Sequence, residues 1–332
     1  LPTVSRPKET VSQAYSVVIC AYTIDRWALL REAVDSARSQ EIQPAEIVVC
    51  IDHNPDLLAL ARQTWSSDAD VSVIENRFPG RLGSARNSAM EVVGGDVVAF
   101  LDDDARAAPD WLSRLEAIYD GAPDVQAVGG GPSPRYEVPR PNWFPLEFDW
   151  VFGCAYRGLP SERGATGRLI GASMSARRLA ILKVDGFHSD NHDDMDLSHR
   201  LIAEFGHDSV IYDPSIQVSH YVTRERLTWR YFWHRCFDVN RGKVLAFQDL
   251  GHAGNQSADV AFVRHALLKV LPEYLADPFG GGWRRAGALL AGIALAALGN
   301  LAGRLSVLAG RTEPSQTRGL TSGRATALDA AG

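Results

Sequence analysis

Cysteine is scarce in this chain: Cys20, Cys50, Cys154 and Cys236 are all there are in 332 residues, and no two form a CxxC pair. A disulfide framework is therefore not expected. Cys20 and Cys50 fall inside apolar runs, where an inert thiol belongs in a protein of the reducing cytosol. An excess of basic residues is missing too. Lys and Arg total 34 against 40 Asp and Glu, a net charge of −6, which argues against a general nucleic-acid binder. Residues 1–14 are polar and lack the apolar core of a secretory leader, so the catalytic part is expected in the cytoplasm. No internal repeat is found. What remains is ordinary for a soluble globular protein, 45% apolar and 22% charged, and the length suits one large domain or two modest ones.

After a loose tail over 1–14, short apolar runs alternate with helical periodicity. Tyr15–Cys20, Glu46–Ile51, Val71–Ile74 and Asp96–Leu101 read as buried strands, rich in β-branched residues and apolar on both faces. Helices are expected between them, over Trp27–Gln40 with Trp27, Leu30, Val34 and Ala37 on one stripe, over Pro55–Trp65, and over Gly83–Val93. This alternation defines an α/β fold, a Rossmann-like, mostly parallel sheet flanked by helices. A further helix opens near Pro109 and runs to 121. Residues 129–168, rich in Gly, Pro, Arg and aromatics, read as irregular functional loops. Periodic segments return at 176–183, 194–205 and 227–247. The expected division is one domain over 15–250 with halves 15–108 and 109–250, a helical extension over 251–311, and a disordered tail over 312–332.

Within the extension, Ala286–Gly303 carries no charge and is flanked by Arg284, Arg285 and Arg304. Its length approaches the ~20 residues of a membrane span, but Ala and Gly make it only weakly apolar. A helix lying on a membrane surface, a short span and a soluble packing helix all suit it.

Two acidic clusters carry the chemistry. Phe100-Leu-Asp-Asp-Asp104 ends a predicted strand, and in open α/β sheets ligands bind beyond the carboxyl ends of the strands. Three adjacent carboxylates repel one another unless a cation compensates, and Mg²⁺ or Mn²⁺ takes carboxylate and phosphate oxygens together. The bland alternative is a solvated acidic turn, with Asp104 or Asp110 capping the next helix. The second cluster, in His192–Leu201, lies at the start of a helix whose Leu197, Leu201 and Phe205 share a face. Carboxylates are stabilised there by the helix dipole, whereas one projecting into a cleft would act as a general base. Taken alone, this motif leans toward the dipole.

Taken in order, the motifs resemble family 2 glycosyltransferases, which adopt the GT-A fold. Val17-Val-Ile-Cys-Ala-Tyr-Thr23 looks like the family's opening strand and loop, and Ile51-Asp52 matches the acidic position that contacts the base. Arg81-Leu-Gly-Ser-Ala-Arg-Asn87 is similar to its Gly-x-x-x-Arg-Asn helix start. Gly95-Asp96 leading into Phe100–Asp104 matches its Gly-Asp strand and Asp-x-Asp motif. Gly171–Met174, then Arg177-Arg178 and Gly186-Phe187, resemble the acceptor-side segment. Asp193–Leu201 resembles the acidic pair ahead of an Asp-Leu-Ser-x-Arg-Leu helix. The likeness runs from Tyr15 to Lys243.

The resemblance implies an inverting glycosyltransferase that moves a sugar from a nucleotide diphosphate, most often UDP, to an acceptor hydroxyl. The half 15–108 would bind the donor and 109–250 the acceptor. Ala21, Tyr22, Asp25 and Asp52 would line the base and ribose pocket, and Arg86 would sit near the pyrophosphate. Asp102, with Asp103 beside it, would bond the ribose or sugar. Asp104 would hold a divalent metal, Mn²⁺ or Mg²⁺, with His220 as a further ligand. Asp194 would be the catalytic base, with Asp193 beside it on the sugar or acceptor. Arg226 would help neutralise the leaving nucleotide, Arg224 being an equal candidate. Two departures stand out: Thr23 occupies the family's usual Asn, and His53-Asn54 its usual Gly-Ser.

The acceptor is a glycan, a small molecule or a lipid-linked sugar. Pro139–Trp150 concentrates aromatics suited to stacking on sugars, lying against lipid or packing. Trp229–Arg235 is aromatic and basic. With 286–303 it points to peripheral membrane contact, at the inner face of the plasma membrane, and to an acceptor such as a polyprenyl phosphate or its glycan. The stretch Trp143–Pro160 also resembles actinobacterial and archaeal relatives that transfer glucuronic acid to a lipid-linked sugar. Two rivals remain. A metal-dependent phosphohydrolase would need a second ligand set, and a degenerate nucleotide-sugar-binding protein would not need the intact Asp102, Asp104 and Asp194.

Overall fold

The computed structural model describes residues 13–246, 253–277, 279–310 and 319–321. Tyr15–Ala21 (β1), Glu46–Ile51 (β2), Val71–Glu75 (β3) and Val97–Asp102 (β4) are the four strands expected from the apolar runs. They pair in parallel in the order β3-β2-β1-β4, with Ile19 opposite both Val49 and Leu101. Both faces are apolar because both are covered. Trp27–Arg38 (α1) and Pro55–Thr64 (α2) pack on one face, where Val17 and Ile19 meet Leu30, Val34 and Leu57. Leu82–Met90 (α3) packs on the other, where Val18 and Phe100 meet Ala85 and Ala89. Ala105–Ala107 (β5) and Trp111–Gly121 (α4) follow, α4 adding Trp111 and Leu115 to the first core.

The second half corrects the reading of 129–168 as loops throughout. Ala127–Tyr136 (β6) is an interior strand of the sheet. Its Gly129-Gly130-Gly131 looks like loop composition, yet space requires it: a Cβ on Gly130 would lie 2.2 Å from the Ile216 carbonyl oxygen. Gly164–Ala165 (β7), Ser173–Arg177 (β8) and the 13-residue Val210–Val222 (β9) complete the sheet in the order β4-β8-β6-β9-β5, with β7 also on β9. The long β6–β9 ladder is parallel, and its register shifts between Gly129 and Gly131. Arg178–Lys183 (α5) and Asp193–Phe205 (α6) join α3 on the second face.

Trp229–Ala246 (α7), Ala253–His265 (α8), a π-helical turn at Ala266–Val270, Leu271–Leu275 (α9) and Gly282–Leu308 (α10) form a helical layer around a third, aromatic core of Phe144, Phe148, Phe152 and Phe232. The expected boundary at 250 lies outside the described residues. α10 has a mean hydropathy of 1.7 over its most apolar window and is long enough to cross a membrane by length and composition. One face is glycine, pressed on α7: a Cβ on Gly299 would lie 2.2 Å from the Phe237 carbonyl oxygen, and one on Gly303 2.8 Å from that of Arg241. The opposite face exposes Leu290, Leu298, Leu301, Leu305 and Leu308, positions spaced as one helical stripe. Most of the tail expected to be disordered lies outside the described residues. Within it, Leu320 is buried and donates its N–H to the Asp185 carbonyl at 2.9 Å.

Candidate active site

The carboxyl end of β4 delivers the first acidic cluster. Asp102 is the last residue of the strand, and the chain then turns so that Asp103 and Asp104 are only 4% and 3% exposed. A solvated acidic turn is thereby excluded. β5 pairs antiparallel with β9 and sets Ala105 opposite His220, which brings the imidazole over Asp104. His220 Nε2 lies 2.9 Å from Asp104 Oδ1 and 3.8 Å from Asp102 Oδ2. Arg226 Nη2 reaches Asp104 Oδ2 at 3.3 Å, and Arg26 Nη1 bridges Asp103 and Asp104 at 3.0 and 3.1 Å.

These contacts set the charges. Burial would raise the Asp104 carboxyl, but His220, Arg226 and Arg26 outweigh it and hold its pKa well below the usual range. Burial opposes charge on His220 as well, yet Asp104 keeps its pKa well above the ordinary value. Asp103 has no such compensation on one side. Burial and the neighbouring Asp104 push it up to about 7, and its Oδ2 is buried without a hydrogen-bond partner among the described residues. Asp102, Asp104 and His220 present two carboxylate oxygens and one imidazole nitrogen within 4.8 Å of one another. Once the imidazole gives up its proton, as metal binding requires, that donor set suits a hard or borderline divalent cation.

The second acidic cluster meets the first through Arg86. Its fully buried guanidinium donates to Asp193 Oδ2, to Asp102 Oδ1 at 3.2 Å and to the Gly171 carbonyl at 3.2 Å, with Phe100 and Phe187 against its faces. The three carboxylates at the start of α6 have separate partners. Asp193 is buried on Arg86, and burial, with Asp194 and Asp102 adding repulsion, raises it to about 7 even against that cation. Asp196 accepts from the His188 N–H and from Arg200. Asp194 is half-buried, its Oδ2 accepting the Gly171 N–H at 2.9 Å and its Oδ1 the Met195 N–H at 2.7 Å. It lines a pocket of about 230 Å³ together with Arg86, Asp102, Asp193 and Gly171. All three carboxylates lie in the first turn of α6, where the helix dipole favours them, and these separate partners add to that.

The four positions of the expected base pocket lie at the ends of β1 and β2. The Ala21 carbonyl accepts the Asp52 N–H at 2.8 Å. Tyr22 is exposed, with Arg26 over its ring, and Asp25 is exposed and bonds Thr23 within its own turn. Asp52 Oδ1 accepts from Asn76 Nδ2 at 2.7 Å, and the same amide group donates to Ser84 Oγ while its Oδ1 accepts from Ser88. The departures at 53 and 54 have local consequences. His53 sits at φ +48°, a left-handed conformation that glycine adopts without strain. Asn54 caps α2 by accepting from the Leu57 N–H. Arg224 is at the start of a short 3₁₀ turn and donates its N–H to Glu137, whereas Arg226 reaches the aspartates.

Arg26, Asn76 and Gly171 were not singled out from the sequence. Arg26 follows the first-strand loop directly and Gly171 lies in a quoted motif, so both were within reach. Asn76 carried no signal of its own. Among the described residues no second group of three or more clustered metal ligands occurs.

An acid-ended parallel sheet facing a carboxylate at a helix start is the arrangement of GT-A nucleotide-sugar glycosyltransferases, and solved structures share the fold. A mannosyltransferase from Pyrobaculum calidifontis, solved with GDP-Man and Mn²⁺, is 19% identical, with 93% of this chain and 90% of that one covered at a TM-score of 0.55. TarS 1–349 of S. aureus, solved with UDP-GlcNAc, is 14% identical, with coverage of 90% and 92% and a TM-score of 0.52. The chain belongs to glycosyl transferase family 2, whose model matches residues 16–184, just over half its length. A glucosyl-dolichyl phosphate glucuronosyltransferase of Haloferax volcanii is 31% identical over 232 residues, 66% of this chain and 74% of that protein. The Escherichia coli protein WfaP, a UDP-Glc:alpha-D-GlcNAc-diphosphoundecaprenol beta-1,3-glucosyltransferase, is 31% identical over 94 residues, 27% of this chain and 34% of its own.

Proposed function

We propose that this glycosyltransferase moves a sugar from a UDP-sugar to a hydroxyl of a lipid-linked acceptor, with inversion, using a divalent metal and working at the cytoplasmic face of a membrane. The observation that carries the catalytic assignment is the half-buried Asp194, oriented by the Gly171 N–H in a pocket it shares with Asp102. Asp102, Asp104 and His220 fit Mn²⁺ or Mg²⁺, which when bound would offset charge on the departing diphosphate. Asp194 takes the acceptor hydroxyl proton as that oxygen bonds the anomeric carbon. The bond from that carbon to the diphosphate oxygen breaks, and its electron pair leaves on the nucleotide. Arg26 and Arg226, already beside Asp104, would meet the negative charge, while Asp52 and Asn76 would hold the base.

The lipid-linked acceptor is supported by the names of the Haloferax and Escherichia relatives. The Haloferax relative also makes glucuronic acid the first sugar to try. Membrane contact is supported by the leucine stripe of α10, the flanking Arg284, Arg285 and Arg304, and the exposed Trp229 and Trp233. Because α10 lies along the charged α7, we favour a helix resting on the surface over one that spans alone. Four free thiols suit a reducing compartment.

The test is thermal stability against a panel of nucleoside diphosphates, each with and without Mn²⁺, since a ligand of the folded state raises the melting temperature. A metal-dependent shift with UDP, lost in Asp104→Ala, is expected. No shift with any nucleotide sinks the donor reading, and binding without transfer favours the degenerate protein.

A further inference from the structure

A larger cavity of about 540 Å³ opens between α7, α8 and α10, a volume within the roughly 300–1,000 Å³ of ligand pockets. Its lining is mainly apolar, with Phe148, Phe262, Val263, Ile293, Ala296 and Ala297 among it. Trp150, Arg168 and Lys243 line both this cavity and the pocket of Asp194, so the two spaces share a wall.

The cations of that wall are undercompensated. Lys243 is 9% exposed, and its ion pair is a 3.8 Å contact with the partly exposed Asp259. Arg168 donates to the Tyr156 hydroxyl at 2.7 Å and has no carboxylate within 4.0 Å among the described residues. Burying a cation with so little opposite charge is costly, and burial together with Arg168 lowers the Lys243 pKa to about 8. Arg235 lines the smaller pocket as a third cation. An anion at this wall would offset the charge of Arg168 and Lys243, whereas Arg235 is exposed to solvent.

Resting on the function proposed above, we propose that the acceptor is an amphiphile read by three adjoining compartments. Its phosphate or diphosphate lies between Arg168 and Lys243, its sugar fills the 230 Å³ pocket with a hydroxyl toward Asp194, and its hydrocarbon chain enters the 540 Å³ cavity. Charge complementarity at the shared wall and its adjacency to the Asp194 pocket select this occupant over a purely apolar ligand. The two cations are binding residues for the acceptor and take no part in proton transfer.

The experiment is calorimetric binding of three probes to the full chain: farnesyl phosphate, farnesol and inorganic phosphate, below the micelle concentration. Farnesyl phosphate is expected to bind at least tenfold more tightly than either of the others. Lys243→Met and Arg168→Gln are each expected to weaken it tenfold or more. Ala296→Phe, or Val263→Trp where the first does not fold, should weaken farnesyl phosphate similarly and leave inorganic phosphate unchanged. Equal affinity for farnesol, or unchanged affinity in both cation variants, overturns the anion site. Inorganic phosphate binding as tightly as farnesyl phosphate identifies a free anion as the source and overturns the chain site. The same variants are scored for the thermal shift with UDP and Mn²⁺. A retained shift with failed farnesyl phosphate binding removes this inference alone, and the reverse removes the donor reading alone.

Discussion

Asp193, Asp194 and Asp196 share one helix start, yet their partners divide the work among them. Asp193 pairs with Arg86, Asp196 ties His188 to the helix and pairs with Arg200 one turn on, and Asp194 accepts only backbone N–H groups at the pocket. Asp194→Asn is therefore expected to lower turnover by ~10²-fold or more, given what a general base contributes, while the thermal shift with UDP and Mn²⁺ persists. Near-normal turnover would remove the assignment. Arg86→Met should instead leave the buried Asp193 and the partly exposed Asp102 without their cation and lower stability by about 3–5 kcal/mol, as broken buried ion pairs do, read by denaturant unfolding. Asn76→Ala is a milder case. It strands the partners of a buried amide at a cost of about 1–3 kcal/mol and should weaken UDP more than Mn²⁺ in titrations. The sequence named the acidic residues but not this division, because Asp193 meets Arg86 across 107 positions of chain. Arg26 has a place beside the first-strand loop that the sequence shows, but its partners lie 77 and 78 residues on, so its pairing with them is visible only in the folded sheet end.

At the scale of elements, β1 to β4 and α1 to α4 were legible because their apolar spacing records the two faces of one sheet. β6 was not. Its glycines answer to Ile216 and Tyr212 on a strand more than 80 residues away, so their purpose is invisible to local composition. β9 was missed because its alternation is interrupted around Asp213-Pro214-Ser215. The glycines of α10 obey the same logic and are testable. Gly299→Val would drive a side chain into the α7 backbone at Phe237. The expected loss is about 1–3 kcal/mol, as for other overpacked sites, with a lower melting temperature; the same change at Gly287, where a Cβ meets nothing within 4 Å, should cost far less. Equal losses would show that α10 is not held by close backbone contact.

At the scale of the whole molecule, the clearest pH dependence belongs to Lys243. Arg168, Asp259 on α8, His192 just ahead of α6, and Asp194 and His199 on α6 surround it electrostatically. Its folded pKa, about 8, lies below the 10.5 of an unperturbed lysine, so from pH 8 to 10.5 the unfolded chain holds the proton that the folded chain has released. Stability from this group therefore rises with pH across that window and is lowest below it. Lys243→Met should raise stability at pH 7, by up to about 3 kcal/mol on the linkage scale, and flatten the rise between pH 8 and 10. A steeper rise in the variant would contradict this. Binding of farnesyl phosphate, which favours the charged amine, should in turn weaken above pH 8.

Lys243 lies on α7, and α7 is also the seat of the glycine face of α10, whose other side is the leucine stripe. Only one helix thickness thus separates an outward greasy surface from the wall of the reaction pocket. For an enzyme resting on a bilayer by that stripe, the acceptor would arrive by lateral diffusion within the leaflet rather than through bulk water. The relevant concentration is then the number of acceptor molecules per unit of membrane area. Diluting the acceptor with inert phospholipid should slow transfer even when the total amount of acceptor is unchanged, while adding water should not.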